Sequence, residues 1–420
     1  MLFSLSKYFK LPNLYKTSLS LIERCFPIIA EFKNFVELDF SSVKIILASS
    51  GLFVDSEFQV FHAAKTWLSH KPSERGKHAK DILLKIRLPL LSLPTLNRIL
   101  NKSACSVMDE DCFDVVKDVI RRKKDYRLRT TSRHCGQNNF NFVVAGGEGD
   151  CTGQVTRKVT SINVESLSKV NSVSDLNHAR IHSEMFCIKG EIYVFGGYND
   201  DSYKPVMPVE KYSPDTNTWE VVAQMYDGRK GFFACSFVDS IYFLGGIGHE
   251  NCCLVLNTTS KTWRKVAGMN GGRVKASCVA FEGRVVVTGG LDDGVVKLNS
   301  VEAYDYIDDS WSNMPSMIEE RCFHRSVAIK NKLFSFGGVS NKNIEVFDSR
   351  SYQFALLKCP NDLSHHEISD ATSVANKIVM FGNKNGLVLL YDVENDVWSE
   401  ERCESTRQIK YFSCSKVQKL

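Results

Sequence analysis

Four arginines recur at one fixed distance from a glycine pair. Arg180, Arg229, Arg273 and Arg321 stand 16 residues before Gly196, Gly245, Gly289 and Gly337. A guanidinium presents its donors in a planar fork, so a ring of them could pair bidentately with the carboxylates of an acidic peptide. Counting 16 residues back from Gly382 reaches His366, which takes the sixth place. The residues that follow the glycine pairs are less regular and better suited to specificity. They include Tyr198, Asn199 and Asp200, His249, Asp292 and Asp293, and Asn341. Glu148, Asp150, Glu250, Ser340 and Asn383 lie beside them, and Tyr198 and Tyr203 offer aromatic anchors. An arginine repeated in register can equally bond the loop carbonyls of its own repeat, and the spacing alone leaves both roles open. Acidic and basic groups are mixed at these positions, so the charge of a partner is not readable.

Catalysis has no comparable support, and no catalytic residue, metal site or cofactor is expected. Copper chemistry would need two histidines and a tyrosine converging on one rim. His249, His324, His365 and His366 lie in no such pattern, and His365-His366 reads as a polar loop pair. There is no arginine triad with paired carboxylates at sialidase-like spacing. There is also no GxGxxG after a strand, no P-loop and no GxSxG elbow. The 14 cysteines form no CxxC pair, so no zinc site is indicated. Scattered thiols fit a reduced intracellular compartment, with extracellular disulfides as the alternative. A net charge of +5 over 420 residues does not point to nucleic acid. Without a signal-peptide pattern in MLFSLSKYFKLPN or an apolar run long enough to span a bilayer, no membrane partner is expected. Hydrophobic residues at 43% and charged residues at 24% allow large globular cores.

Two halves with different grammar must position these residues. From Asn13 to Val119 the apolar residues recur at helical spacing. In SEFQVFHAAKTWLSH, Phe58, Phe61, Ala64 and Trp67-Leu68 fall on one stripe, and Ser56 with Gln59 can form a capping box. Ile82, Leu83, Ile86 and Leu90 repeat the pattern, and Pro89 and Pro94 break it into short helices. A basic polar stretch follows, RRKKDYRLRTTSRHCGQNN. We therefore divide the chain into a helical domain (14–125), a basic linker (126–139) and a β-domain (140–420).

The β-domain is a repeat array. Short β-branched and aromatic runs end in glycine pairs at Gly146-Gly147, Gly196-Gly197, Gly245-Gly246, Gly289-Gly290 and Gly337-Gly338, with a degenerate sixth at Gly382-Asn383. A tryptophan follows a large apolar residue by seven positions: Tyr212 and Trp219, Leu256 and Trp263, Tyr304 and Trp311, Tyr391 and Trp398, with Phe347 and Phe354 in the fifth repeat. These residues read as framework: the first glycine for close strand packing, the second for the turn, and the aromatics to fill space between repeats. The end of the chain, KYFSCSKV, mirrors GFFACSFV at 231–238. It reads as the opening strand of the first repeat, which would close a ring of six blades and remove its exposed edge.

The run from YVFGG through VEKYSPDTNTW to QMYDGR, with its copies over 141–420, resembles Kelch repeats. The segment SSGLFVDSEFQVFHAAKTWLSH, then Arg75, then DILLKIRLPLLS resembles the BACK domain of Kelch-like proteins, over roughly 14–125, with residues 1–13 matching neither domain. The resemblance implies a multidomain fold, α-helical and then a six-bladed all-β propeller. Members usually begin with a BTB domain, for which this chain has no room. By resemblance, the chain is a non-enzymatic substrate adaptor of a cullin-3 ubiquitin ligase that holds a target protein on its propeller loops. It would meet the ligase directly or through a BTB-bearing relative. An actin-binding cytoskeletal role and target binding without a ligase are the competing expectations. The implied compartment is the cytoplasm, and the basic linker also admits the nucleus.

Overall fold

The computed structural model divides into two compact units, Met1–Gln137 and Asn138–Leu420. In the first it describes residues 12–24, 26–30, 33–52, 54, 57–91, 96–97, 99–100 and 108–124. In the second it describes 140–418 apart from 150–151, 164–165, 169–172, 189–190, 200–203, 215, 238–239, 293–294, 307, 340–342, 358–367, 375–376, 384, 394 and 408.

The first unit is helical. Its central helix, Glu57–His70, buries Val60, Phe61, Ala63, Ala64, Trp67 and Leu68, a wider stripe than the spacing predicts, with Phe58 only half-buried. Ser56, the expected cap, lies outside the described residues. Two polar anchors fix this helix. The Trp67 indole N–H donates to the Leu38 carbonyl at 2.8 Å, and Arg75 donates to the Trp67 carbonyl at 2.7 Å while stacking over its ring. Ile82, Leu83 and Ile86 are buried as expected. Leu90 is not: Pro89 turns the chain into a single 3-10 turn, Leu88–Leu90, and Leu88 and Leu91 take the core positions instead.

The second unit is a six-bladed propeller of antiparallel sheets. Blade II runs Glu184–Ile188, Glu191–Phe195, Pro208–Ser213 and Thr218–Gln224. Blades III, IV, V and VI follow the same meander from Phe233, Ser277, His324 and Ile368. Blade I joins Phe140–Ala145 and Val159–Asn163 to the chain's last strand, Ser413–Gln418, which pairs with Phe140–Ala145 in an unbroken register. The first strands of the six blades pack side by side around a closed circle. The chain's last strand thereby completes the first blade and covers the edge that Phe140–Ala145 would otherwise expose.

The core is a ring of clusters between neighbouring blades. Phe142 meets Phe381 across blades I and VI, and Phe195 meets Phe243 across II and III. Tyr242 meets Tyr304 across III and IV, Phe281 meets Phe347 across IV and V, and Phe334 meets Tyr391 across V and VI. Ring centroids 4.7 to 6.0 Å apart in tilted or edge-on geometry are the favourable arrangement for aromatic quadrupoles. The repeated Tyr–Trp register serves these seams. Tyr212, Tyr304 and Tyr391 donate their hydroxyls to Asn217, Asp309 and Asp396. The indoles of Trp219, Trp263 and Trp311 donate to carbonyls of the chain entering their blade, at Ser174, Gln224 and Ala267.

Candidate partner-binding rim

The glycine pairs bring two loop sets onto one rim. Gly245 and Gly289 have positive φ (61° and 57°), and a Cβ on either would fall within 2.4 Å of the carbonyl oxygen of Arg273 or Arg321 in the next blade. Only glycine lets the backbones approach that closely. The second glycines Gly147 and Gly290 then donate their N–H groups to the carbonyls of Arg180 and Arg321. Beyond them the loop pairs with the residue after its own blade's arginine: Tyr198 with Ile181, and Leu291 with Val274.

The four arginines lie beneath this rim rather than on it. Each is 2% exposed or less. Arg180, Arg229, Arg273 and Arg321 donate to the carbonyls of Gly196, Gly245, Gly289 and Gly337 at 2.9 to 3.2 Å. Further bonds from Arg180, Arg229 and Arg273 reach the carbonyls of Pro208, Cys252 and Ser300. Three pair with a buried carboxylate: Arg180 with Glu210, Arg273 with Glu302 and Arg321 with Glu345. Arg229 uses Asp227 instead. The same glutamates accept backbone N–H groups of the incoming loop, at Asn177 and His178, Asn270 and Gly271, and Ile318 and Glu319. The expectation of a ring of guanidinium groups facing a partner is therefore corrected. Their terminal NH groups are taken up by the scaffold, because the fork that fits a ligand carboxylate also fits a buried carboxylate beside loop carbonyls.

The glutamates were missed at the sequence level, although a signal existed. Val209-Glu210-Lys211-Tyr212, Val301-Glu302-Ala303-Tyr304 and Ile344-Glu345-Val346-Phe347 repeat one pattern. Blade III has Leu254 at that position, and there Arg229 takes its carboxylate from Asp227, two residues before it on the same loop.

Among the other expected rim residues, Asn199, His249 and Asp292 are exposed. Tyr198 is half-buried, and its hydroxyl accepts from the Gly231 N–H at 3.2 Å. Asn383 is buried: its side-chain oxygen accepts from the Ser369 hydroxyl and the Tyr411 N–H, so it takes no place on the rim. Asp200, Asp293, Asn341 and His366 lie outside the described residues, as do Asp150, Tyr203, Ser340 and His365. His324 is buried, with its imidazole against the Thr288 hydroxyl. Among the described residues no group of three His, Cys, Asp or Glu side chains could hold a metal ion, and no helix is long and apolar enough to cross a membrane.

A layer the sequence did not reveal lines the mouth of the central channel. Two residues after each arginine, His182, Gly231, Lys275 and Phe323 adopt positive φ, and Tyr411 takes the same conformation in blade I. They are strung together between blades, with His182 N–H to Tyr411 O, Lys275 N–H to Gly231 O and Phe323 N–H to Lys275 O. Just inside, Arg325 of blade V pairs with Asp370 of neighbouring blade VI at 3.3 Å. It also pairs with Glu184 of blade II, the blade opposite, at 3.7 Å. A side chain thus crosses the channel behind the mouth. Burial raises Glu184 to about 7 and also raises Asp370. The two carboxylates outweigh the effect of burial on Arg325 and hold its pKa up. His182 is exposed, but desolvation of its ring at the mouth, then the charges of Arg325 and Lys275, lowers its pKa to about 4.

Comparison with known proteins agrees with this architecture. A family model described as "BACK: BTB And C-terminal Kelch" matches residues 1–101, and one described as "KLHDC2/KLHL20/DRC7 Kelch-repeats domain" matches 131–338. The chain carries a BACK domain followed by Kelch repeats, and its relatives are Kelch-like proteins. The BACK match begins at residue 1, so it takes in the segment that the sequence reading left outside both domains. Kelch-like protein 35 of Mus musculus is 24% identical over 394 residues, covering 91% of this chain and 60% of the mouse protein. Kelch-like protein 38 of Danio rerio is 23% identical, covering 90% of this chain and 68% of that protein. Kelch-like protein 6 of Homo sapiens is 25% identical, covering 79% and 47%. The chain spans only about half to two thirds of the length of these relatives.

Proposed function

We propose that this Kelch-like chain is the target-recognition part of a cullin-3 ubiquitin ligase adaptor, with the propeller rim holding a target protein. The observation that carries the reading is a division of labour in the repeats. The regular residues (glycine pairs, arginines, glutamates and tryptophans) are spent inside the scaffold. The irregular residues, Asn199, His249 and Asp292 among them, are left in the open on one rim. A rigid frame that presents variable loops is how binding modules are built. The BACK domain ahead of the propeller supports the link to a ligase.

The mechanism is positional. This chain breaks no bond; it raises the effective concentration of a target's lysines beside an enzyme carried by another subunit. The test is co-capture from cell extract with tagged full chain. Recovery of cullin-3 together with a target supports the adaptor reading. A target without cullin-3 leaves a binding module, and sedimentation with filamentous actin would favour the cytoskeletal role.

A further inference from the structure

The rim is not uniform. Its exposed large apolar side chains, among the described residues, belong to blades III to V and the loops that enter them. Ile247 follows the glycine pair of blade III, Val295 and Val296 that of blade IV, and Val339 that of blade V. Phe323, 51% exposed, stands at the channel mouth in blade V. Hydrogen bonds tie the patch together. Phe323 N–H donates to Lys275 O, Val339 N–H donates to Cys322 O, and the Lys297 ammonium donates to Val339 O at 2.8 Å. The surface is therefore a fixed apolar step between two adjoining blades.

Charge gives the step a polarity. The Lys275 ammonium lies 4.3 Å from the centre of the Phe323 ring, and among the described residues no carboxylate pairs with it. The mouth residues described in blades I to V are His182, Gly231, Lys275, Phe323 and Tyr411, and none is acidic. Of the acidic groups nearby, Glu184 and Asp370 just behind already face Arg325, and Asp292 lies exposed on the hairpin opposite Val296, away from the mouth residues themselves. A half-buried lysine that no carboxylate pairs with among the described residues, beside the exposed Phe323, complements an anion attached to an apolar neighbour.

Resting on the rim reading above, we propose that the mouth over blades IV and V is the docking site for a protein segment in which an apolar side chain adjoins an aspartate or glutamate. The apolar side chain packs on Phe323, Val296 and Val339. The carboxylate accepts from Lys275.

The test is selection of a random-peptide display library on the full chain, then affinity measurement of the enriched peptides by calorimetry. Enriched peptides should carry an acidic residue beside an apolar one. Phe323→Ala and Lys275→Glu should each weaken them by about tenfold or more, as loss of a central anchor or charge pair does. Lys275→Arg should retain binding. A lysine in place of the peptide's acidic residue should recover affinity for Lys275→Glu, a charge swap that a folding defect would not produce. Enriched peptides that are basic, or whose acidic residue can be replaced without loss, would overturn the proposal. If those peptides still needed Phe323, the rim reading would survive. Peptides indifferent to every rim substitution, or no enrichment at all, would count against both.

Discussion

Replacing Arg273 by alanine separates a scaffold arginine from a ligand-binding one. The side chain is 1% exposed and donates to the carbonyls of Gly289 and Ser300 at 2.9 and 3.1 Å while pairing with buried Glu302. Arg273→Ala would strand that carboxylate and two carbonyls away from water. Removing one partner of a buried ion pair costs about 3–5 kcal/mol. For a unit of this size one kcal/mol corresponds to about 2 °C of melting temperature, so the expected loss is about 6–10 °C. The double variant Arg273→Met/Glu302→Leu should recover part of it, because the unpaired charge is gone. The recovery stays partial, because the N–H groups of Asn270 and Gly271 lose their acceptor. The assay is a thermal melt of the full chain by circular dichroism, with target binding measured below the transition. Unchanged melting with abolished binding would refute the reasoning and return the arginine to the rim.

Three further outcomes follow from the same structure. Phe347 is fully buried between Phe281 and Phe354, so Phe347→Ala should cost about 3–5 kcal/mol in a denaturant titration; a cost below about 1 kcal/mol would mean that the seam between blades IV and V is not a packed core. Deleting residues 409–420 removes the inner strand of blade I and bares the edge of Phe140–Ala145; the propeller should aggregate or lose cooperative melting in size-exclusion and scanning experiments, and a truncated chain that melts like the full one would contradict closure. Glu184 has a folded pKa raised from 4.5 to about 7, so the folded state keeps a proton that the unfolded state loses. Its stabilising contribution is present below pH 4.5 and is lost as pH rises to about 7. The stability of the parent chain minus that of Glu184→Gln should fall across this window and level off above it, and a difference that rises with pH would reverse the assignment.

The architecture was largely legible because each blade repeats the same physical solution. Equal intervals from arginine to glycine pair mark equal strand lengths, and the likeness of 410–417 to 231–238 marks the closing strand. The arginines show where this reasoning stops. Spacing tells where a residue falls in the repeat, not which way its side chain turns, and the choice between rim and interior depended on Glu210, Glu302 and Glu345, whose own repeat went unread. The channel mouth was not legible either. Lys275 and Phe323 come together only because consecutive blades are bonded edge to edge, and Arg325 meets Glu184 only because blades II and V face each other across the ring. Blade VI was legible from its degenerate pair Gly382-Asn383, but the inward turn of Asn383 toward Ser369 and Tyr411 was not.

The most direct test of the central claim is quantitative affinity capture with the full chain beside its Lys275→Glu and Phe323→Ala variants, all three verified as folded. The account predicts a small set of proteins, with cullin-3 among the co-captured subunits of the parent. Both rim variants should lose the target while retaining cullin-3. Identical recoveries from all three baits would contradict it, because the open rim would then not be where this protein meets its partner.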